Sequence, residues 1–111
     1  MDLQHAQKAV DEWIQEHGVR YFNELTNMAQ LAEEVGELAR VMSREFGEQS
    51  FKKQPRKSQK ELLSEEIADT LFVLICIANQ TNIDLEKALK ESIEKKSRRD
   101  KKRHKNNPDL H

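Results

Sequence analysis

The sequence predicts an all-α protein: a four-helix bundle completed by homo-oligomerisation. Three observations carry this. Apolar residues recur at helical spacing along four segments, and no segment alternates with a period of two. Glycine (3) and proline (2) are scarce among 111 residues, which argues against a turn-rich β fold. Only 36% of residues are hydrophobic while 35% are charged, so one small chain buries little core and self-association is expected.

The first helix is expected from about Leu3 to Glu16, with Leu3, Ala6, Val10, Trp13 and Ile14 as its apolar stripe and Gly18 as its stop. The second begins at Glu24 or Asn27 and runs to Phe46, carrying Met28, Leu31, Ala32, Val35, Leu38, Ala39, Val41 and Met42 at helical spacing, with Gly47 closing it. A polar loop follows from Glu48 to Ser58, containing Pro55. The third helix runs from about Gln59 to Thr81. Its first half is amphipathic, but Leu71 to Ala78 is apolar on every side and must be covered on every side, which makes it the best candidate for a subunit interface. Asp84 is a natural N-cap for a fourth helix buried through Leu85, Ala88, Leu89 and Ile93. Residues 1–104 read as one helical domain and 105–111 as a polar tail.

Composition narrows the function classes. Eight apolar residues, Leu71 to Ala78, cannot span a bilayer, and Met1 to His5 lack the pattern of a signal peptide. A single cysteine, Cys76, excludes an intrachain disulfide and a cysteine-based zinc site, and it is expected in the core. A cytoplasmic protein with no membrane partner follows. The net charge of −1 conceals an asymmetry: Lys95 to Lys105 carries +7 and the rest of the chain −8. An acidic body with a basic tail suits a metal-loaded carboxylate site plus a group that meets phosphate, or a tail that touches nucleic acid.

Two acidic pairs stand out. Glu34 and Glu37 lie three residues apart on the second helix, and Glu66 and Asp69 three apart on the third, so each pair shares a helix face. Both pairs sit beside apolar stripes. If the two helices pack antiparallel, four carboxylates converge, and their repulsion calls for a divalent cation. All-oxygen ligands point to a hard ion, Mg²⁺ or Mn²⁺. A di-iron site would need Glu-x-x-His pairs, and none of His5, His17, His104 and His111 follows a glutamate by three. The competing reading is that these acids are solvated surface charges. Glu33, with Glu37 four residues on and Arg40 beyond, suits that reading best.

The stretch Leu31-Ala-Glu-Glu-Val-Gly-Glu-Leu-Ala39, followed by Glu65-Glu-Ile-Ala-Asp-Thr-Leu71 with a 28-residue spacer, Leu38 to Glu65, between the two acidic pairs, resembles the MazG-like nucleotide pyrophosphohydrolases, as does the turn Asn82-Ile-Asp-Leu-Glu86. The resemblance covers roughly residues 25–99. It implies an all-α fold working as a dimer or a dimer of dimers. It implies Mg²⁺-dependent hydrolysis of a (deoxy)nucleoside triphosphate to the monophosphate and pyrophosphate. Carried onto this chain, Glu34, Glu37, Glu66 and Asp69 would hold Mg²⁺, and Glu33 and Glu37 would serve catalysis, Glu33 by orienting a metal-bound water. The chain departs from the family downstream. Where relatives often have Lys-x-x-Lys-Asn-x-x-Arg, it has Ser92, Lys95, Lys96 and Arg99, and Val73 stands where some members have tyrosine. Lys95 and Arg99 are the residues expected to hold the triphosphate.

Other residues carry competing expectations. Trp13 could stack on a base but, beside Ile14, is expected in the core. Tyr21 and Phe22 lie where a nucleotide base could stack, and Phe22 is the candidate substrate contact. Asn27 is expected to cap the second helix, with a base contact as the lesser reading. Asn79 could face the substrate or cap the third helix. Lys52 and Lys53 could close over phosphates, against the default of solvated loop lysines. A non-enzymatic helical dimer binding nucleic acid through the basic tail, and a nucleotide sensor, are the alternatives to a hydrolase.

Overall fold

The computed structural model describes residues 1–47 and 57–111; Lys52 and Lys53 lie outside them. Among the described residues there are four α-helices and no strand: α1 (Leu3–Trp13), α2 (Glu24–Phe46), α3 (Gln59–Gln80) and α4 (Leu85–Asp100). No described helix is long and apolar enough to cross a membrane.

Side-chain caps set the helix starts. Asp2 accepts from the His5 N–H, Asn23 from Thr26, Ser58 from Glu61, and Asp84 from both Glu86 and Lys87. Each satisfies donors that the first turn leaves unpaired. The cap of α2 is therefore Asn23. Asn27, expected in that role, stands one turn inside the helix and is buried. At the far end of α2, a Cβ on Gly47 would lie 2.5 Å from the Ser43 carbonyl oxygen, so space calls for glycine there. The end of α3 is a Schellman turn: Ile83 N–H donates to the Ala78 carbonyl and Asn82 N–H to Asn79, with Asn82 at φ 58°.

The first helix ends differently from expectation. The α-helical pattern stops at Trp13, and Ile14–Gly18 form a π-helical turn. The positive φ expected of Gly18 falls instead on Val19, at φ 68° and ψ −51°. With Arg20 N–H donating to the Gly18 carbonyl at 2.7 Å, Val19 is the centre of a γ-turn of the strained hand. This sharp reversal carries Arg20, Tyr21 and Phe22 back over α1.

Asn27 meets Gln80 while Glu34 meets Asp69, so α2 and α3 run antiparallel. α1 packs on α3 and on α4. Val10, Ile14, Ile75 and Cys76 form the core, with Ala6, Tyr21, Phe72 and Leu85 around it. Gln7 fastens three helices together. Its amide donates to Asn79 Oδ1 and the Ile83 carbonyl and accepts from the first N–H of α4, at Leu85. The apolar stretch of α3 is only half covered: Val73, Ile75, Cys76 and Ala78 are buried, whereas Ile67, Leu71 and Leu74 remain exposed. Met28, Val35 and Met42, two turns apart on α2, are exposed as well.

Candidate metal and nucleotide site

The antiparallel register of α2 and α3 decides which acids meet. Glu34, Glu66 and Asp69 each bring one carboxylate oxygen to within 4.8 Å of the others. Glu34 and Glu66 are partly buried and Asp69 is exposed. Burial pushes the Glu66 carboxyl above its ordinary pKa, reinforced by Asp69, then Glu34, Glu37 and Glu65. Three convergent acids that raise one another's cost of ionisation, none of them in an ion pair among the described residues, suit a hard divalent cation. The donor set fits such an ion.

The other predicted residues fall around this cluster. Glu37 lies outside the trio of converging oxygens but close enough to bear on Glu66. Its carboxylate stands 3.9 Å from Arg40 on the exposed face of α2, a contact worth little in water. Glu33 is exposed beside it. Lys57 pairs with Glu65 on the exposed surface beside the cluster.

A cavity of about 360 Å³ opens beside the acids, and Glu34 and Asp69 form part of its wall. Its other walls include Trp13, Phe22, Phe72, Asn27 and Gln30. Phe22 thus lies where a base contact was expected. Trp13 departs from expectation. It is half exposed in the cavity wall, its ring edge-on to Phe72 at 5.6 Å and 89°, while the neighbouring Ile14 takes the core position. Ile14 stands one turn on from Val10 and shares its buried face, while Trp13 falls beside that face.

Asn79 is brought to a different place. Its Nδ2 donates to the Gln7 carbonyl and to the Tyr21 hydroxyl, and its Oδ1 accepts from Gln7. It lines a shallower cleft beside Gln7 and Asp11. Tyr21 donates in turn to Asp11 at 2.6 Å. Burial and that acid push the phenol up to about 12, so it stays protonated and fixes the entry to α2. Lys95 and Arg99 stand on α4, exposed, and neither lines the cavity. Arg99 makes a two-pronged contact with Asp100, whose carboxyl it holds down at about 2.

Sequence reasoning did not single out Arg20, Gln30, Phe72 or Gln80. Phe72 sat inside a uniformly apolar run, where no periodicity separates a cavity wall from a core. The glutamines gave no signal, because an amide in so polar a chain reads as surface.

Residues 22–104 match the MazG nucleotide pyrophosphohydrolase domain. The uncharacterized protein YpjD of Bacillus subtilis (strain 168) is 40% identical over 103 residues, which cover 91% of this chain and 88% of that protein. Among solved structures, the Bacillus-conserved MazG protein, described as a nucleotide pyrophosphohydrolase, superposes with a TM-score of 0.72 at 39% identity, covering 86% of this chain and 88% of that one. The YPJD structure from Bacillus subtilis superposes with a TM-score of 0.75 at 39% identity, covering 86% and 94%.

Proposed function

The chain belongs to the MazG nucleotide pyrophosphohydrolase family and is a hydrolase of nucleotide anhydrides, and we propose that it cleaves a (deoxy)nucleoside triphosphate to the monophosphate and pyrophosphate in a Mg²⁺-dependent reaction. The observation that carries the proposal is the meeting of Glu34, Glu66 and Asp69 from two helices at the mouth of an aromatic-walled cavity. Glu34, Glu66 and Asp69 would hold Mg²⁺ or Mn²⁺, with Glu37 completing the set. Bound there, the ion neutralises phosphate charge and makes water a better nucleophile at neutral pH.

The chain's own residues do the rest. Glu37 and Glu33, on the exposed side of the cluster, accept hydrogen bonds from the attacking water and hold it in line with the α-phosphorus. Phe22 and Trp13 hold the base. Lys95 and Arg99 supply cations for the triphosphate. Because α4 packs on α1 and neither residue lines the cavity of its own chain, this role is best served between copies. The exposed apolar stripe of α2 and α3 supports such an assembly: Met28, Val35, Ile67, Leu71 and Leu74 are too many large side chains to leave in water on so small a body.

Pyrophosphate release from a panel of NTPs and dNTPs, with and without Mg²⁺, tests the proposal. It expects turnover with at least one nucleotide that is abolished by chelation. No turnover above a Glu37→Gln control with any nucleotide would overturn it.

A further inference from the structure

The cavity beside the acids reaches Asn27, and the hydrogen bonds around that residue leave it a single role. Asn27 is the one buried polar residue among the described residues, 5% exposed. Its Nδ2 donates to Gln80 Oε1 at 2.7 Å and to the Phe22 carbonyl at 3.4 Å. Gln80 Nε2 donates to the same carbonyl. A peptide carbonyl can only accept, so the atoms of both amides that face it are nitrogens. Turning Asn27 over would set its oxygen against two other oxygens. Gln80 therefore locks the Asn27 amide, and Oδ1 is what remains. No donor among the described residues reaches Oδ1. It is not sealed off either: Glu45 Oε2 is the one side-chain atom among them that is buried without a partner. In a residue that lines the cavity, this leaves a fixed acceptor open to it.

The neighbouring polar groups commit donors elsewhere. The Tyr21 hydroxyl gives its proton to Asp11, Arg20 Nη1 donates to the Tyr21 carbonyl, and Gln30 Nε2 leans towards Glu34. The walls are the rings of Trp13, Phe22 and Phe72. Asn27 and Glu34 are seven residues apart on α2, two turns along one face and about 10 Å, which is the reach of a nucleoside from the edge of its base to its 5′-phosphate.

We infer that the cavity selects a nucleobase carrying an exocyclic amino group, cytosine or adenine over uracil or hypoxanthine, with the amine donating to Asn27 Oδ1. At that position uracil and hypoxanthine present a carbonyl, which would face the locked oxygen acceptor to acceptor and leave both unpaired. The uracil N3–H is no remedy, since the carbonyls on either side of it would each need a donor. The inference rests on the hydrolase reading for the triphosphate end of the ligand and on Asn27, Gln80 and Phe22 for the base.

Two measurements on the full chain in its native assembly separate it from that reading. One is the ratio of kcat/KM for CTP over UTP and for ATP over ITP. The other is the affinity for the α,β-methylene analogues of the same four nucleotides, read from the emission of Trp13, the sole tryptophan, which needs no turnover. The amino partner should be preferred at least tenfold in both measurements for at least one pair. Asn27→Leu removes the acceptor, and Gln80→Leu frees the amide to turn, so both should bring the ratio to within about twofold of unity. Selective binding without turnover would sink the hydrolase reading and sustain this one. Turnover with ratios near one, a preference that survives Asn27→Leu, or no binding of any of the four analogues would overturn it.

Discussion

The carboxylates of Glu34 on α2 and Asp69 on α3 belong at once to one acidic cluster and to the wall of one cavity. The site for a cation and the site for an organic ligand are therefore continuous, and neither needs a hinge to bring them together. A surface ion pair would not produce this. Glu37, whose nearest cationic neighbour is Arg40 on the open face of α2, shows what an acid outside the cavity wall looks like.

Because the three acids converge and none forms an ion pair among the described residues, divalent cations should stabilise the fold. At a Mg²⁺ concentration a hundredfold above its Kd, the linkage amounts to ~2.7 kcal/mol, or a rise in Tm on the order of 10 °C for a domain of this size. Glu34→Gln, Glu66→Gln and Asp69→Asn should each remove most of that rise and lower kcat/KM by roughly 100-fold or more. Scanning fluorimetry with Mg²⁺ and with EDTA checks the first point. An unchanged Mg²⁺ shift in all three variants would separate the cluster from metal binding.

The same cluster sets a pH dependence of known sign. The Glu66 pKa is raised by folding, so the folded state holds this proton more tightly than the unfolded chain. Its contribution is present in full below the ordinary glutamate range and is lost as pH rises through the raised value. In EDTA, Glu66→Gln should therefore gain Tm over the parent as pH is brought from about 4 towards 7. Mg²⁺ should shrink the gain, because the ion then offsets the charge. A difference that is flat with pH would contradict the assignment.

How much of this was legible beforehand divides by the kind of signal. Caps and periodicity carried Asp84, Gly47 and the pairing of Glu34 with Glu66 and Asp69, because each depends on residues near in sequence or on one helix face. Three features were not legible. Which of the adjacent Trp13 and Ile14 enters the core depends on the face that α1 turns to α3, and composition carries no signal for that. The burial of Asn27 depends on Gln80, 53 residues away. The tie from Gln7 to Asn79 and Leu85 joins helices whose polar stripes look solvated when read alone.

Val19 offers a test of stored backbone strain. A β-branched residue at φ 68° and ψ −51° costs on the order of 1–3 kcal/mol, while glycine there forfeits about 0.5–1 kcal/mol in unfolded-chain entropy. Val19 is exposed, so truncation sacrifices almost no packing. Val19→Gly should thus stabilise the protein by about 1 kcal/mol, or roughly 4–8 °C in Tm. Val19→Ala keeps the Cβ at the same positive φ and should gain much less. Chemical denaturation of the three proteins measures both, and a Val19→Gly variant less stable than the parent would show that the turn is not strained.

The uncovered faces of α2 and α3 make the last prediction. Val35 and Leu71 are large apolar residues on the two helices that carry the acids, yet they are 48% and 44% exposed. α1 packs against α3 and α4 but leaves this surface open, so only a second copy or another partner can cover it. If a second copy does, a charge at either position would be buried without a counter-ion at the interface, where removing a central contact typically costs ~2 kcal/mol or more. Val35→Glu and Leu71→Glu should therefore weaken self-association at least tenfold by sedimentation equilibrium. Activity should fall with the loss of assembly, because Lys95 and Arg99 would no longer face a neighbouring cavity. Raising the concentration of either variant should restore both together. A variant that stays monomeric at every concentration with undiminished kcat/KM would place the whole site within one chain.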